Sequence, residues 1–365
     1  MNGADQPSKR RDSGHEASGL PRKPAARASD RSGSLSRQQY LDGILKGDTV
    51  ILARAITLIE SSRADDRDLA EQILDDCLPA SGNSIRVAIS GVPGAGKSSV
   101  IEALGRHLIV DLGQRVAVLA VDPSSQLSGG SILGDKTRMT WLSSSELAFI
   151  RPSPSRGSFG GIAQHTREAM LLCEAAGYRN ILVETVGVGQ SETSVHNMVD
   201  FFVLVMLAGA GDELQGIKRG VMELADLAVI NKADGANMAA AERARCETER
   251  ALHFFPASAS GWTPRALTCS ALTGSGIATL WSCVLEHAAH TRANGWFDRT
   301  RREQRRHWLQ EILNQGLRQF FDTHPAVRQL RGVLENEVLA GQTTPLRAAR
   351  TLLDLYAKPS PQRTS

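Results

Sequence analysis

The segment Gly91-Val92-Pro93-Gly94-Ala95-Gly96-Lys97-Ser98 constrains this chain more than any other. It matches G-x-x-x-x-G-K-[ST], the pattern of a loop that wraps the phosphates of a nucleotide. Consecutive backbone N–H groups must point inward at an anion, and glycines at Gly91, Gly94 and Gly96 let the main chain curl tightly and come close. Lys97 then opens a helix whose N-terminus adds its own positive end, so the ammonium can reach β- and γ-phosphates. The Ser98 hydroxyl is a hard oxygen ligand suited to Mg2+. The flanks agree with this reading. Ile85 to Ser90 has the composition of a short buried strand, and Val100, Leu104, Leu108 and Leu112 recur at helical spacing after the loop.

Strand-like runs continue along the chain at Val116 to Val121, Ala148 to Ile150, Asn180 to Glu184, Phe201 to Leu207, Leu227 to Ile230 and Leu267 to Ser270. Helical patterns such as Gly161 to Ala176 and Ala236 to Phe254 separate most of them. Strands apolar throughout, joined by helices, predict an α/β fold with a mostly parallel sheet covered on both faces, whose ligands bind beyond the carboxyl ends of the strands. Before this region, Ile51, Leu52, Ala55 and Ile59 mark one helix face with Asp48 placed as its cap. After it, Trp308, Ile312, Gly316 and Phe320 form a helical stripe, Pro325 interrupts, and Thr344-Pro345 opens a last helix. The expected organisation is a disordered tail over 1–36, a helical segment over 37–80, a nucleotide-binding domain over 81–290, a helical arm over 291–358 suited to dimerisation or docking, and a disordered end over 359–365.

Length and composition exclude several classes. Within 365 residues no apolar run approaches the span of a membrane helix, and 41% hydrophobic with 22% charged residues is ordinary for a soluble protein. The cysteines Cys77, Cys173, Cys246, Cys269 and Cys283 are odd in number and widely spaced, which predicts free thiols in a reducing, cytoplasmic compartment. A targeting presequence is interrupted by Asp5, Asp12, Glu16 and Asp30. The run Arg299, Arg301, Arg302, Arg305 and Arg306 lacks interleaved aromatics beyond Trp296 and Trp308, so it reads as a solvated helix face or interface edge and not as a nucleic-acid patch.

The base is read from Asn231-Lys232-Ala233-Asp234, which directly follows the apolar strand Leu227 to Ile230. A carboxylate at Asp234 can accept both N1–H and the 2-amino group of guanine, donors that adenine does not offer. Lys232 can lay its aliphatic stem along the base, and Ser270-Ala271 can present a backbone N–H to guanine O6. GTP is therefore favoured over ATP. Glu184-Thr185-Val186-Gly187 closes another strand, where Glu184 can hold Mg2+ directly or through water and the Gly187 N–H can bond a γ-phosphate oxygen. The residue after that glycine is Val188, where Ras-like enzymes carry a glutamine that positions water, so intrinsic hydrolysis is expected to be slow or to draw on another loop or a partner. Asp122-Pro123-Ser124-Ser125 through Gly129 to Arg138 reads as a further mobile loop with carboxylates near the metal; Asp122 as a plain turn cap is the competing reading.

Gly91 to Ser99, Val121 to Ser125 with Gly129 to Met139, Arg151 to Gly157, Glu184 to Glu192, Leu214 to Gly220 and Asn231 to Asp234 together resemble the MeaB/ArgK family of P-loop GTPases. Members of that family are chaperones of adenosylcobalamin-dependent acyl-CoA mutases, of the methylmalonyl-CoA mutase-associated type. The likeness runs from about Tyr40 to Tyr356. It implies GTP or GDP bound by Gly91, Gly94, Ala95, Gly96, Lys97, Ser98, Ser99, Gly187, Asn231, Lys232, Asp234, Ser270 and Ala271. It further implies Mg2+ near Ser98, Asp122, Asp135 and Glu184, an additional switch at Gln215 and Lys218 that answers the mutase, and a homodimer formed through the C-terminal helices. Lys97, Glu184, Gln215 and Lys218 are then the candidate catalytic residues. Gln126-Leu127 departs from the family's Pro-Phe, which loosens that loop and leaves its carboxylates, and Ser99 replaces the usual Thr. Two other readings stay open: a nickel-insertion GTPase using Cys283, His287 and His290, and a kinase of periplasmic amino-acid transport proteins.

Overall fold

Five of the seven strands carry at most one residue that water can reach, and that burial dictates the architecture. The computed structural model describes residues 35–61, 63–121, 139–152, 159–185, 191–209, 219–256 and 258–357. Strands β1 (Ile85–Gly91), β2 (Val116–Val121), β3 (Ala148–Arg151), β4 (Asn180–Thr185), β5 (Phe201–Leu207), β6 (Leu227–Asn231) and β7 (Arg265–Thr268) form one sheet in the order β3-β2-β4-β1-β5-β6-β7. Every pairing is parallel. Apolar side chains on both faces require cover on both, and parallel pairing supplies it because each crossover carries a helix. β1 lies at the centre, between β4 and β5. The chain leaves β1 toward one edge and returns past it to the other, so the turn after β1 opens at the switch point of the sheet.

The amino-terminal helices are α1 (Arg37–Leu45), α2 (Thr49–Ile59) and α3 (Ala64–Cys77). Asp48 caps α2 as expected, accepting from Val50 N and Ile51 N. The buried face of α2 is Leu52, Ala55, Ile56 and Ile59; Ile51 packs over Gly43 at its edge, and Ile56 replaces it in the core. Helix α4 (Lys97–Val110) follows the phosphate loop, and α5 (Thr140–Ser144) precedes β3. Helix α6 (Phe159–Ala175) packs on β2 and on α2 and α3, α7 (Ser191–His196) packs on β4 and β1, and α8 (Arg219–Met222) lies between β5 and β6 in the chain. Helix α9 (Met238–Leu252) covers β6 and β7, and α10 (Ile277–Ala293) packs against α4. The seventh strand ends two residues earlier than its pattern predicts. Cys269 N still reaches Ile230 O at 2.9 Å, but Ser270 N turns to Ser275 O at 2.9 Å, which frees Ser270 and Ala271 from the ladder and turns them into a loop.

The carboxyl-terminal arm consists of α11 (Trp296–Thr323), α12 (Pro325–Leu339) and α13 (Pro345–Ala357). At 28 residues α11 is about 42 Å long, yet only Phe297 and Arg301 are buried along it. Leu309, Leu313, Leu317 and Phe320 are exposed on its distal part. Pro325 starts α12, and Thr344 caps α13, its hydroxyl accepting from Arg347 N at 3.2 Å. Phe321 meets Tyr356 edge to face at 5.5 Å, closing the α12–α13 hairpin onto α11. Among the described residues no helix is long and apolar enough to cross a membrane. The five cysteines are free.

One expectation about the arm is corrected. Arg299, Arg302, Arg305 and Arg306 are exposed, but Arg301 is buried. Its guanidinium donates to both carboxylate oxygens of Asp200 at 2.8 and 2.7 Å, to Gly82 O at 2.6 Å and to Ser84 O at 2.8 Å. Asp200 also accepts from Arg86 N at 2.8 Å. Because Arg301 shares a helix face with Phe297, the side chain turns inward with the apolar ring and roots the arm at the amino end of β1 and β5.

Candidate functional site

The phosphate loop closes on itself at the carboxyl end of β1. Gly91 holds φ 147° and Gly96 φ 85°, conformations that L side chains rarely adopt. A Cβ on Gly91 would lie 2.1 Å from Val205 O of the neighbouring strand, and one on Gly96 would lie 2.6 Å from Asn231 Nδ2. Both glycines are thus required by close packing as well as by backbone freedom. Gly96 is the left-handed cap of α4, which places Lys97 and Ser98 in its first turn. The Lys97 ammonium donates to Gly91 O at 2.8 Å and Val92 O at 3.2 Å, lying across the loop. Ser98 Oγ donates to Glu184 Oε1 at 2.6 Å, so residues 86 apart meet where β1 and β4 end side by side. Thr185 Oγ1 donates to Ser90 Oγ at 2.9 Å in the buried layer beneath. A hydroxyl and a buried carboxylate at the mouth of the loop are the hard oxygen set that suits Mg2+.

The strand-end motifs converge on the same rim. Asn231, almost fully buried, donates from Nδ2 to Ala95 O at 2.9 Å and accepts at Oδ1 from Ala271 N at 3.2 Å. One side chain thereby joins the phosphate loop, β6 and the loop after β7. Cys269 also points its thiol at Asn231 Oδ1, at 3.5 Å, and burial pushes that thiol up to about 12, so it stays protonated. Ser270 Oγ donates to Asp234 Oδ2 at 2.5 Å, steering the carboxylate. Lys232 holds φ 61°, and among the described residues it is the one non-glycine with positive φ. Local strain of that kind is kept where surrounding contacts impose it, here Asn237 Nδ2 donating to Lys232 O at 2.7 Å. The expected N–H toward guanine O6 differs in detail: the Ala271 amide is engaged by Asn231 Oδ1 in this structure.

The described residues therefore bring together Gly91, Gly94, Ala95, Gly96, Lys97, Ser98, Ser99, Glu184, Asn231, Lys232, Asp234, Ser270 and Ala271 at one end of the sheet. Asp122, Asp135, Gly187, Gln215 and Lys218 lie outside the described residues, as do tail residues 1–34 and 358–365. Pattern reading missed Glu102, one turn after Ser98 on α4. Its carboxylate accepts from Trp141 N at 2.7 Å and Leu142 N at 3.3 Å, capping α5 just beyond segment 122–138. An acidic residue on the loop-facing end of the helix was the only hint. Cys283, His287 and His290 do not form a metal centre: His290 Nε2 is turned to Ser260 O at 3.1 Å, and His287 packs between Phe201 and Trp262. Among the described residues no group of three His, Cys, Asp or Glu could hold a metal ion.

A phosphate loop on the central strand, followed in order by an acidic strand end and an Asn-Lys-x-Asp strand end, is the plan of the P-loop GTPases, and this chain is one of that class. Residues 52–326 match the family model described as methylmalonyl Co-A mutase-associated GTPase MeaB, and the chain belongs to that family. It is 50% identical over 274 residues to the GTPase ArgK of Escherichia coli, covering 74% of this chain and 82% of the relative. It is 43% identical over 333 residues to the mitochondrial methylmalonic aciduria type A homolog of Mus musculus, covering 87% of this chain and 80% of the relative. The crystal structure of a protein named LAO/AO transport system kinase superposes with a TM-score of 0.71 at 37% identity, over 88% of this chain and 98% of its own. The chain is accordingly a GTPase that binds guanine nucleotide.

Proposed function

We propose that this GTPase is Mg2+-dependent and acts as a chaperone whose nucleotide state gates the loading and protection of adenosylcobalamin in an acyl-CoA mutase. The observation that carries the reading is the family match, which spans both the nucleotide rim and the helices flanking it. On this reading Lys97 leaves its own loop carbonyls to bind β- and γ-phosphate oxygens, and Ser98 and Glu184 hold the metal together with Asp122 and Asp135. Mg2+ supplies charge neutralisation between the phosphates. Asp234 accepts the guanine donors, with Ser270 orienting it, and Lys232 covers the base. Val188 stands where a water-positioning glutamine would be, so Gln215 and Lys218 complete the site when the mutase docks. A partner can gate hydrolysis only by distinguishing the two nucleotide forms, which assigns that duty to the loops around Asp122, Gly187 and Lys218. The exposed apolar stripe of α11 suits a homodimer, and the protein acts in the cytoplasm.

The test is GTP turnover of the purified chain alone and with methylmalonyl-, isobutyryl-, ethylmalonyl- or 2-hydroxyisobutyryl-CoA mutase. Stimulation of about tenfold or more by one of them is expected, within the usual range of coupling between sites. No stimulation by any would overturn the chaperone reading. The likeness to a protein named as a transport system kinase favours a second reading, phosphotransfer to protein. γ-Labelled GTP separates the two, since label goes to free phosphate in the first and to a polypeptide in the second.

A further inference from the structure

A cavity of about 420 Å³ opens at the amino end of the sheet, the end opposite the phosphate loop, within the size range of small-molecule sites. It lies between the end of α7, the starts of β5 and β6, and the root of the arm. Trp296, Thr300, Gln304 and His307 reach it from α11 at helical spacing, so one face of that helix forms a wall. Two buried polar atoms on this wall, Thr300 Oγ1 and Gln304 Oε1, have no hydrogen-bond partner. The orientation of the Gln304 amide is set by its other end, where Nε2 donates to Val199 O at 2.7 Å and so leaves the acceptor Oε1 over.

The charge of the lining points the same way. Asp226 Oδ2 accepts from Phe202 N at 2.8 Å, whereas the nearest basic group to Oδ1 is His287 Nε2 at 3.9 Å, beyond hydrogen-bond reach. Burial lowers the pKa of His287 to about 4, so the ring is neutral at physiological pH. The Asp200 carboxylate is engaged by Arg301 and by Arg86 N. Glu303 adds a further carboxylate at the wall, and the described lining residues include neither lysine nor arginine. The cavity thus offers the amide acceptor Gln304 Oε1, the unpartnered Thr300 hydroxyl and the Oδ1 face of Asp226, beside the aromatic surfaces of Phe201 and Trp296. Buried polar groups are almost always partnered, and unmatched acceptors in a roomy site call for a ligand that brings N–H groups.

We propose that this cavity binds a small organic ammonium compound, its N–H groups donated to Gln304 Oε1, Thr300 Oγ1 and the Asp226 carboxylate and its apolar body laid against Trp296 and Phe201. The site is independent of the nucleotide reading, since none of its residues belongs to the phosphate rim. The experiment titrates benzylammonium, benzyl alcohol and benzoate into the full GDP-bound chain by calorimetry and saturation-transfer NMR. Benzylammonium is expected to bind with a Kd of about 1 mM or tighter, and the other two at least about tenfold more weakly. Thr300→Val keeps the shape but removes the unpartnered hydroxyl, and should weaken benzylammonium about threefold or more while leaving GTP hydrolysis unchanged. Thr300→Met fills the space and should abolish binding. Equal binding of benzyl alcohol, survival of binding in Thr300→Met, or no binding at about 10 mM, which would leave these acceptors to water alone, would overturn the proposal.

Discussion

The two ends of this sheet treat charge in opposite ways. At the carboxyl end Lys97 rests on carbonyls of its own loop and Ser98 on Glu184, local partners that the proposed function exchanges for a nucleotide and Mg2+. At the amino end Arg301 is held by Asp200, Gly82 and Ser84, and the neighbouring Glu174 takes Gly82 N, Ser84 Oγ and Arg86 Nε at 2.7, 2.5 and 2.9 Å. Those partners belong to the fold itself, half of them backbone groups and half side chains. The difference separates binding from architecture within one sheet. Polar groups that work are paired with exchangeable neighbours, and polar groups that hold the arm in place are saturated.

Breaking the saturated end should have the larger effect. Arg301→Ala leaves Asp200, whose side chain is 4% exposed, with the Arg86 amide but without its counter-ion, and is expected to cost about 3–5 kcal/mol of stability. Denaturant unfolding of the full chain would show it, with GTP hydrolysis per folded molecule retained; a loss below about 1 kcal/mol would mean that the network is dispensable. Lys97→Ala should do the reverse. If Lys97 serves the phosphates as proposed, removing its ammonium is expected to lower hydrolysis about 100- to 1000-fold, or about 3–4 kcal/mol, with an unfolding midpoint close to that of the wild-type chain. If Lys97→Ala instead unfolded the chain, the contrast between the ends would fail.

This contrast also governs how much the sequence reveals. The carboxyl end was legible because phosphate and guanine chemistry demands residue types at set spacing, so Gly91 to Ser98 and Asn231 to Asp234 stand out from the residue order alone. The strands were legible because burial on both faces leaves unbroken apolar runs such as Phe201 to Leu207. The amino end was not. Arg301 lies among four exposed arginines and differs from them only by sharing a face with Phe297, while its partners Asp200, Gly82 and Ser84 are distant in the chain. Nor does spacing announce Glu102, whose carboxylate caps α5 through two backbone amides. The left-handed Lys232 was hidden for a related reason. A strained φ is imposed by tertiary contacts and has no residue signature when the residue is not glycine.

A subtler change sharpens the working end. Asp234→Asn keeps the shape that Ser270 grips but replaces one carboxylate oxygen with a donor facing the donors of guanine. GTP affinity should fall about 10- to 100-fold, and xanthosine triphosphate, with a carbonyl in place of the 2-amino group, should gain relative to it. Equilibrium binding of both nucleotides checks this. Unchanged GTP affinity would remove Asp234 from the base-reading role.

The smallest effect comes from the amino end and is a matter of sign. Burial raises the Asp226 carboxyl from 3.8 to about 7 and lowers the nearby His287 from 6.5 to about 4. A raised carboxyl favours the protonated fold, so its contribution to stability is full below 3.8 and declines as pH rises toward 7. A lowered histidine favours the neutral fold, so its contribution is full above 6.5 and declines as pH falls toward 4. Between pH 6.5 and about 5.5 each slope amounts to about 1 kcal/mol, and the two nearly cancel in the wild-type chain. Asp226→Asn still accepts from Phe202 N but removes the first slope, so on acidification over that window it should lose about 1 kcal/mol more than wild type. Parallel urea titrations at the two pH values measure that difference directly. Equal losses would show that Asp226 is already ionised throughout the window.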